Sequence, residues 1–373
     1  MHHIHTIIAS KRSSICHGPR YSLPLKQRTN PIDCAVIYWA QLLHFYQPPT
    51  QLHFVLDKVC QESYRPVMRI FRRFPNSRAT FNINGCLLDM LYCHGKNDIL
   101  RSLNELREAG QIELTGSGQY HPILPLIPKE EMERQIERNE KDLKRFVGQD
   151  STPRGFFPPE MAFSPEAAES IVKTGHEWAI ISGVACPSEW PVEFIAEEEV
   201  DGKRLAVFFR DDVLSNRISF EKTRGKQFLA SLLQLYGGRQ NAYVVTAMDA
   251  ETFGHHIHGL DKTFLGEAFA ELAESGMAGV RSVTISELLD FFPRRRIPEP
   301  KTSSWSTTTQ DIEALNPFPL WLDKGNEVHR LQWEHVKGCL ELNRAAHKWG
   351  QGGLARDYAE RSRVLLDLAL HSC

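Results

Sequence analysis

The chain has 373 residues, of which 42% are hydrophobic and 24% are charged, and its formal net charge is −2. These proportions are typical of a globular protein, and the length suits one α/β barrel with an appendage. A nearly neutral chain lacks the electrostatic signature of binding to nucleic acid or to an anionic membrane, whereas a neutral polysaccharide requires no such signature.

The first 34 residues differ in composition from the rest. Residues 1–32 contain five lysines and arginines but no acidic residue, so we interpret residues 1–34 as a disordered basic leader, with a transit peptide as the alternative. No apolar run is long enough to span a membrane, and residues 4–9 are too short for a secretory signal. Eight scattered cysteines without a Cys-x-x-Cys pair favour a reducing compartment and count against thiolate-bound zinc, which predicts a cytoplasmic protein.

Seven apolar runs have the length and composition of buried strands, and helical patterns separate several of them. The runs cover residues 36–43, 79–83, 112–114, 155–157, 178–182, 205–209 and 243–247. The helical patterns cover residues 99–109, 130–147, 228–236 and 264–275. Strands that alternate with helices imply right-handed parallel crossovers, and hence a wound sheet or a barrel.

A basic and proline-rich break at residues 294–300 ends this alternation. Residues 303–310 are polar and lack order signals, and residues 326–342 and 353–371 have helical patterns. We therefore expect a catalytic barrel over residues 35–297 and a linker with a helical region over residues 298–373. The last helix has no Gly or Pro stop signal, so we expect this helical region to be incomplete.

Polar residues follow five of the predicted strands. These residues are His44, Asn84, Glu113, Glu160 and Asp249. Because the carboxyl ends of parallel strands meet at one edge of a barrel, we expect these side chains to converge on one site.

The two carboxylates Glu160 and Asp249 stand in unusual local sequences. Asp249 ends the apolar run and is followed by Glu251, which would share its face if the strand continued. Two prolines precede Glu160, which excludes a helix interior and favours an extended approach. Ser164 already supplies the cap of the next helix, so Glu160 is not needed for that purpose.

Together these segments resemble glycoside hydrolase family 57, whose members are retaining enzymes that act mostly on α-glucans. The family has five sequence motifs. The first is matched by Leu-His-Phe-Tyr-Gln-Pro-Pro (43–49), and the second by Gly-x-x-Glu (110–113), which His121-Pro122 follows. The third is matched by Pro159-Glu160, the fourth by Asp-x-Glu-x-Phe-Gly-His (249–255), and the fifth by a tryptophan-centred element at Ser304-Trp305. The fourth match is the most specific. The resemblance implies a distorted (β/α)7 TIM-like barrel with a C-terminal helical appendage, in agreement with the seven apolar runs.

The same resemblance assigns the nucleophile to Glu160 and the general acid/base to Asp249. A retaining mechanism needs an ionised nucleophile and, about 5–5.5 Å away, an acid with a raised pKa. Burial and the neighbouring Glu251 can raise the pKa of Asp249. Glu251 is the alternative candidate for the general acid, although we favour it as a residue that supports the end of the strand.

Further residues of the motifs are expected to bind the sugar or to orient the carboxylates: His44, Tyr46, Glu113, His121, Glu251, His255 and Trp305. Asn84 is a weaker candidate for a residue of the site. Residues 210–212 either face the site or form surface ion pairs. Two departures from the family pattern leave the exact substrate open. Tyr46 stands where the family usually has a second His, and Phe157-Pro158 stands where Trp and an aliphatic residue are common.

We therefore predict an α-amylase-like hydrolase that needs no metal or cofactor and whose partner is an α-glucan or oligosaccharide. The alternatives are a glucan transglycosylase on the same site, a non-catalytic glucan-binding relative, and a metal-dependent deacetylase or mannosidase. The last alternative would use His255, His256 and His258 as ligands. Against it, the sequence has no His-x-x-x-His pair and no paired ligands at the end of the first strand.

Overall fold

The computed structural model describes residues 36–150, 152–274, 279–350 and 352–372. The predicted leader lies outside these ranges. The strands within them are β1 (Val36–Phe45), β2 (Ala79–Ile83), β3 (Ile112–Thr115), β4 (Gly155–Phe156), β5 (Trp178–Ile181), β6 (Ile195–Val200), β7 (Lys203–Phe209), β8 (Asn241–Asp249), β9 (Val280–Val283) and β10 (Arg294–Arg296).

Seven of these strands follow one another in parallel around a barrel, and they coincide with the seven predicted runs. β1 pairs with β2 and β8, β2 pairs with β3, and β5 lies between β4 and β7. The two sheets are joined where Gly116 bridges to Phe156, and where the Asp211 amide donates to the Val245 carbonyl over 2.8 Å. The predicted (β/α)7 fold is therefore confirmed.

Three strands were not predicted. β6 pairs antiparallel with β7, and β10 extends this sheet beside β6. β9 pairs with the first half of β1, and β2 pairs with its second half. These strands are short or rich in charged residues, so their sequences lack the apolar run that marks a buried strand.

The helices that surround the strands are α1 (His53–Val59), α2 (Arg65–Arg73), α3 (Gly85–Cys93), α4 (Asn97–Glu108), α5 (Lys129–Val147), α6 (Pro165–Lys173), α7 (Asp212–Phe220), α8 (Gly225–Tyr236), α9 (Glu267–Glu274), α10 (Ile285–Phe291), α11 (Thr309–Glu313), α12 (Glu327–Trp349) and α13 (Gly353–Ala369). The predicted helices agree with α4, α5, α8, α9, α12 and α13. Ser164 caps α6, as predicted, by accepting a hydrogen bond from the Ala167 amide. No helix in the described ranges is long and apolar enough to cross a membrane.

Alternate residues of the strands face two different apolar layers. Ala40 and Leu42 of β1 pack with Ile180, Phe208 and Val245 from other strands, inside the barrel. Their sequence neighbours on β1 pack instead against the helices outside the barrel. This alternation follows from the two-residue period of a strand, and it leaves the carboxyl ends of the strands open for polar side chains.

A buried ion-pair network attaches α13 to the barrel helix α5. Asp367 of α13 is 1% exposed, and it pairs with Arg134 and Arg138 of α5 and with Arg363 of its own helix. Arg363 also pairs with the buried Glu131 over 3.0 Å. The network therefore fixes the position of the last described helix relative to the barrel.

We expect Asp367→Ala to lower the free energy of unfolding by about 3 kcal/mol, because three arginines would lose a buried carboxylate partner. Urea denaturation measures this change. Asp357→Ala is the matched control, since Asp357 is an exposed residue of the same helix, and it should cost less than about 0.5 kcal/mol. Equal losses in the two variants would contradict a stabilising role of the network.

Candidate active site

A cavity of about 920 Å³ opens at the carboxyl ends of β1, β7 and β8. Its lining includes the two predicted catalytic carboxylates and four other groups: Glu160, Asp249, Glu251, His44, Arg210 and Trp305. The size and the mixture of charged and aromatic groups are typical of a small-molecule site.

Glu160 is held by contacts on both carboxylate oxygens. The Trp305 indole donates a hydrogen bond of 2.7 Å to Oε2, and the Trp305 amide donates one of 3.0 Å to the Glu160 carbonyl. His121 Nδ1 lies 3.7 Å from Oε1. The backbone of Glu160 is left-handed with φ of 58°, a conformation that is unfavourable for a residue other than Gly. A strained backbone and a fixed side chain indicate a residue that must be held in one place.

Burial dominates the electrostatics of Glu160. Burial, together with the negative charge of Asp249, raises the pKa of this carboxyl to about 7. Hydrogen bonds from Trp305 and Ser372 act in the opposite direction, because they stabilise the carboxylate. Glu160 and Asp249 line the same cavity, so the charge of each affects the ionisation of the other.

His121 and Ser372 form a hydrogen-bonded pair next to Glu160. His121 Nδ1 lies 2.7 Å from the Ser372 hydroxyl, which in turn hydrogen-bonds Glu160. Burial lowers the pKa of His121 well below its ordinary value, so its ring is neutral. A neutral ring that donates through Nδ1 leaves the Ser372 hydroxyl proton available to the carboxylate.

Asp249 ends β8 directly beside His44 of β1, to which it is paired in register. Burial raises the pKa of Asp249, and the neighbouring His44 and Arg210 offset part of this increase. Arg210 is 6% exposed, and its Nε donates a hydrogen bond of 2.8 Å to the Ala247 carbonyl. A buried carboxyl with a raised pKa can hold a proton near neutral pH, as a general acid requires.

Glu251 is more deeply enclosed than Asp249. Its Oε1 accepts hydrogen bonds from the Tyr64 hydroxyl, from Gln47 Nε2 over 3.2 Å and from the Tyr46 amide over 3.3 Å. Burial, followed by the charge of Asp249, raises the pKa of Glu251 to about 8. These contacts join the segment after β8 to the segment after β1. Glu251 is therefore placed to hold these two segments together, as expected for a residue that supports the site.

The strand does not continue from Asp249 to Glu251, as the alternation argument assumed. β8 ends at Asp249, and residues Ala250–Thr252 form a single 3₁₀ turn. The Glu251 carbonyl accepts hydrogen bonds from the amides of His255 and His256, so the chain curls instead of extending. Both acids still line the cavity: the end of β8 places Asp249 there, and the turn places Glu251.

Aromatic rings form a stack on one wall of the cavity. His44 lies parallel to Phe157, with ring centres 4.6 Å apart, and Tyr46 lies parallel to His121 at 4.0 Å. His44 Nδ1 is 2.6 Å from the Asn82 side-chain oxygen, which fixes the orientation of the ring. Burial lowers the pKa of His44, although Asp249 and Asn82 oppose that shift. Tyr46 also lies parallel to His44, with ring centres 5.9 Å apart, so its ring is part of the same stack.

Two of the predicted binding residues, Glu113 and His121, are not among the residues that line the cavity; His121 is fully buried but still contacts Glu160, whereas Glu113 is used elsewhere. It is the second residue of β3, and its carboxylate accepts hydrogen bonds from Thr80 Oγ1 over 2.7 Å and from the Ser286 amide over 3.0 Å. It thus binds the start of α10. Asn84 also lies outside the lining, because it precedes α3 and donates to Ser117 and to the Gly118 carbonyl.

His255 does line the cavity, and Glu62 orients it through a contact of 2.6 Å to Nδ1. His256 lies beside it in the lining. Within the described ranges, no group of three or more His, Cys, Asp and Glu side chains is arranged to hold a metal ion.

The sequence left one residue of the site undecided and did not indicate two others. Arg210 lines the cavity, as one of the two interpretations of residues 210–212 expected, and it also pairs with Asp212 over 2.6 Å. Tyr64 and Ser372 lie 187 and 251 positions from the residues that they contact, so no local pattern identifies them. The polar segment 303–310 was expected to lack order, yet Ser303 forms a β-bridge with Phe163, Ser303 and Ser304 are fully buried, and helix α11 begins at Thr309.

Comparisons with known proteins identify sequence relatives of this chain. The 4-alpha-glucanotransferase of Thermococcus litoralis is 28% identical over 294 residues, which cover 74% of this chain and 43% of that protein. An alpha-amylase of Pyrococcus abyssi is 26% identical over 319 residues, which cover 81% of this chain and 47% of that protein. The chain therefore spans less than half the length of these curated relatives.

Solved structures show the same fold. A branching enzyme of Thermococcus kodakaraensis matches with a TM-score of 0.70 at 16% identity, covering 88% of this chain and 84% of that chain. An alpha-amylase of Thermotoga maritima matches with a TM-score of 0.68 at 15% identity, covering 90% and 86%. The sequence profile of glycosyl hydrolase family 57 matches residues 28–302, and the chain belongs to this family.

Proposed function

We propose that this protein is a retaining glycoside hydrolase that cleaves α-glucans, with Glu160 as the nucleophile and Asp249 as the general acid/base. The observation that carries the proposal is the presence of these two carboxylates in one cavity, where the charge of one raises the pKa of the other. Family membership and the amylase and glucanotransferase names of the relatives support an α-glucan substrate.

The proposed reaction has two displacements. A Glu160 oxygen attacks the anomeric carbon, and the glycosidic bond breaks as its oxygen takes the Asp249 proton. A covalent glycosyl ester on Glu160 results. Asp249 then accepts a proton from water, whose oxygen attacks the same carbon and releases Glu160 as a carboxylate. Two inversions return the product to the α configuration.

The surroundings of the two acids suit these roles. Glu160 must be ionised to attack, and the donors Trp305 and Ser372 favour its charged form against the effect of burial. Asp249 must begin protonated, and burial favours its neutral form. Glu251 holds the turn that follows Asp249 through its bonds to Tyr64 and Gln47. Its pKa of about 8 keeps it mostly neutral near pH 7, so it adds little negative charge beside Asp249.

Glycosyl transfer is the second candidate, since relatives such as that of Thermococcus litoralis are named 4-alpha-glucanotransferases. The first displacement would be identical, but a glucan hydroxyl would replace water in the second. Product analysis with maltoheptaose separates the reactions, because hydrolysis yields only shorter chains whereas transfer also yields longer ones. We also propose a cytoplasmic location, which the free cysteines Cys60, Cys86, Cys93, Cys186 and Cys339 support.

Asp249→Asn should impair the cleavage of natural glucans far more than that of aryl α-glycosides. A good leaving group departs without protonation, so the first step no longer needs the acid. Glu251→Gln is the matched comparison, and it should slow both substrate classes alike. The measurement is kcat/KM for maltoheptaose and for a 4-nitrophenyl α-maltoside. A leaving-group dependence in Glu251→Gln, and not in Asp249→Asn, would exchange the two roles.

Activity should rise with pH as Glu160 loses its proton, because its pKa of about 7 exceeds that of an ordinary carboxyl. Trp305→Phe removes a hydrogen-bond donor to the Glu160 carboxylate, so the pKa of Glu160 should rise. The midpoint of the acid limb in the pH profile of kcat/KM should therefore shift to a higher pH by about one unit. Trp349→Phe, which changes a tryptophan that is 74% exposed, should leave the limb unmoved. An unchanged limb in Trp305→Phe would show that Glu160 does not control it.

A further inference from the structure

One face of helix α7 forms part of the cavity wall. Asn216, Ser219 and Phe220 all line the cavity, and their spacing of three and four positions places them on the same side of the helix. None of these residues belongs to the five motifs that identify the family. The wall therefore carries side chains that the proposed chemistry does not use.

Phe220 is an aromatic residue of the cavity lining that is mostly exposed. It is 78% exposed, whereas Phe157 and Phe208 inside the barrel are fully buried. An exposed apolar ring at a cavity lined by polar groups gains nothing for folding, because water covers it in the absence of a ligand. The ring is thus available to a ligand that presents an apolar face.

Helix α7, which carries Phe220, is hydrogen-bonded to strand β8, which ends at Asp249. The Ser215 hydroxyl accepts a hydrogen bond of 3.1 Å from the Ala247 amide of β8, and Arg210 donates one of 2.9 Å to Asn216 Oδ1. Asp211 caps the helix by accepting from the Leu214 amide over 2.9 Å. Through these contacts, the position of the ring is set relative to Asp249.

We propose that Phe220 is a stacking platform for a glucose unit of the glucan chain, outside the units that react at the carboxylates, and that it sets the preference for long chains. A pyranose ring has an apolar face of C–H groups and a rim of hydroxyls. The phenyl ring covers such a face, while Asn216 and Ser219 offer hydrogen-bonding groups to the rim. This inference rests on the proposed function, since it names a further binding position for the same substrate.

Binding measurements in the Glu160→Gln background test the platform without turnover. Isothermal titration with maltoheptaose and maltotriose should show that Phe220→Ala weakens maltoheptaose binding about tenfold, because one face of the ring no longer leaves water on binding. The loss for maltotriose should be much smaller. Phe220→Tyr, which keeps the ring, should restore most of the affinity.

Phe54→Ala is the control. Phe54 is 68% exposed on α1, next to the cavity residue Val55, but it does not line the cavity itself. Its removal should change neither affinity. In the protein with Glu160 intact, the ratio of kcat/KM for maltoheptaose to that for 4-nitrophenyl α-maltoside should fall about tenfold in Phe220→Ala only.

The outcomes separate the platform from the function on which it rests. Equal affinities for maltoheptaose with and without Phe220→Ala would overturn the platform and leave the proposed function standing. An equal loss for both sugars would also overturn it, because a general disturbance of the site would explain that result. If neither sugar binds and neither is cleaved by the unaltered chain, the proposed function fails and the platform fails with it.

Discussion

The burial of the Glu160 carboxylate is the constraint on which the rest of the site depends. A carboxylate that leaves water loses hydration, and this loss is why its pKa rises to about 7. The charged form persists only because donors compensate for part of the loss. Trp305 supplies one of them and Ser372 the other, and both residues come from the part of the chain that follows the barrel.

The helical region is consequently part of the site, and not only an appendage. Ser372 follows α13, and the buried Asp367 ties that helix to arginines of α5. The Trp321 indole also donates to the Ser372 carbonyl over 2.9 Å. A disturbance of this network would reach Glu160 through the loss of a hydrogen bond, without any change in the barrel strands.

The distribution of charge in the cavity follows the same logic. Three carboxyls close together cannot all ionise in a buried site, so their pKa values separate. Glu251 is kept near a pKa of 8 by burial and by Asp249, whereas Arg210 and His44 lower that of Asp249. In the proposed mechanism, Glu160 is the acid used for attack, Asp249 the one used for proton transfer and Glu251 the one used for support.

The sequence predicted the parts of the molecule that depend on local patterns. Apolar runs located the seven barrel strands, and the cap at Ser164 was predicted correctly. The prolines before Glu160 predicted an extended backbone, whereas Pro159–Met161 form a 3₁₀ turn in which Glu160 is left-handed. Glu113 was misplaced as a site residue because β3 continues to Thr115, so its side chain meets α10 and not the cavity. The contacts of Ser372 and Tyr64 depend on tertiary packing across most of the chain, which no local pattern encodes.

The covalent intermediate on Glu160 is the central claim, and trapping it is the most direct test. A 5-fluoro-α-glucosyl fluoride forms such an ester faster than the ester is hydrolysed, because the fluorine slows both steps while the fluoride leaves readily. Mass spectrometry of the intact protein and of its peptides should find one fluoroglucosyl group on Glu160, and none in Glu160→Gln. A label on Asp249 or Glu251, or an equal label in Glu160→Gln, would contradict the account.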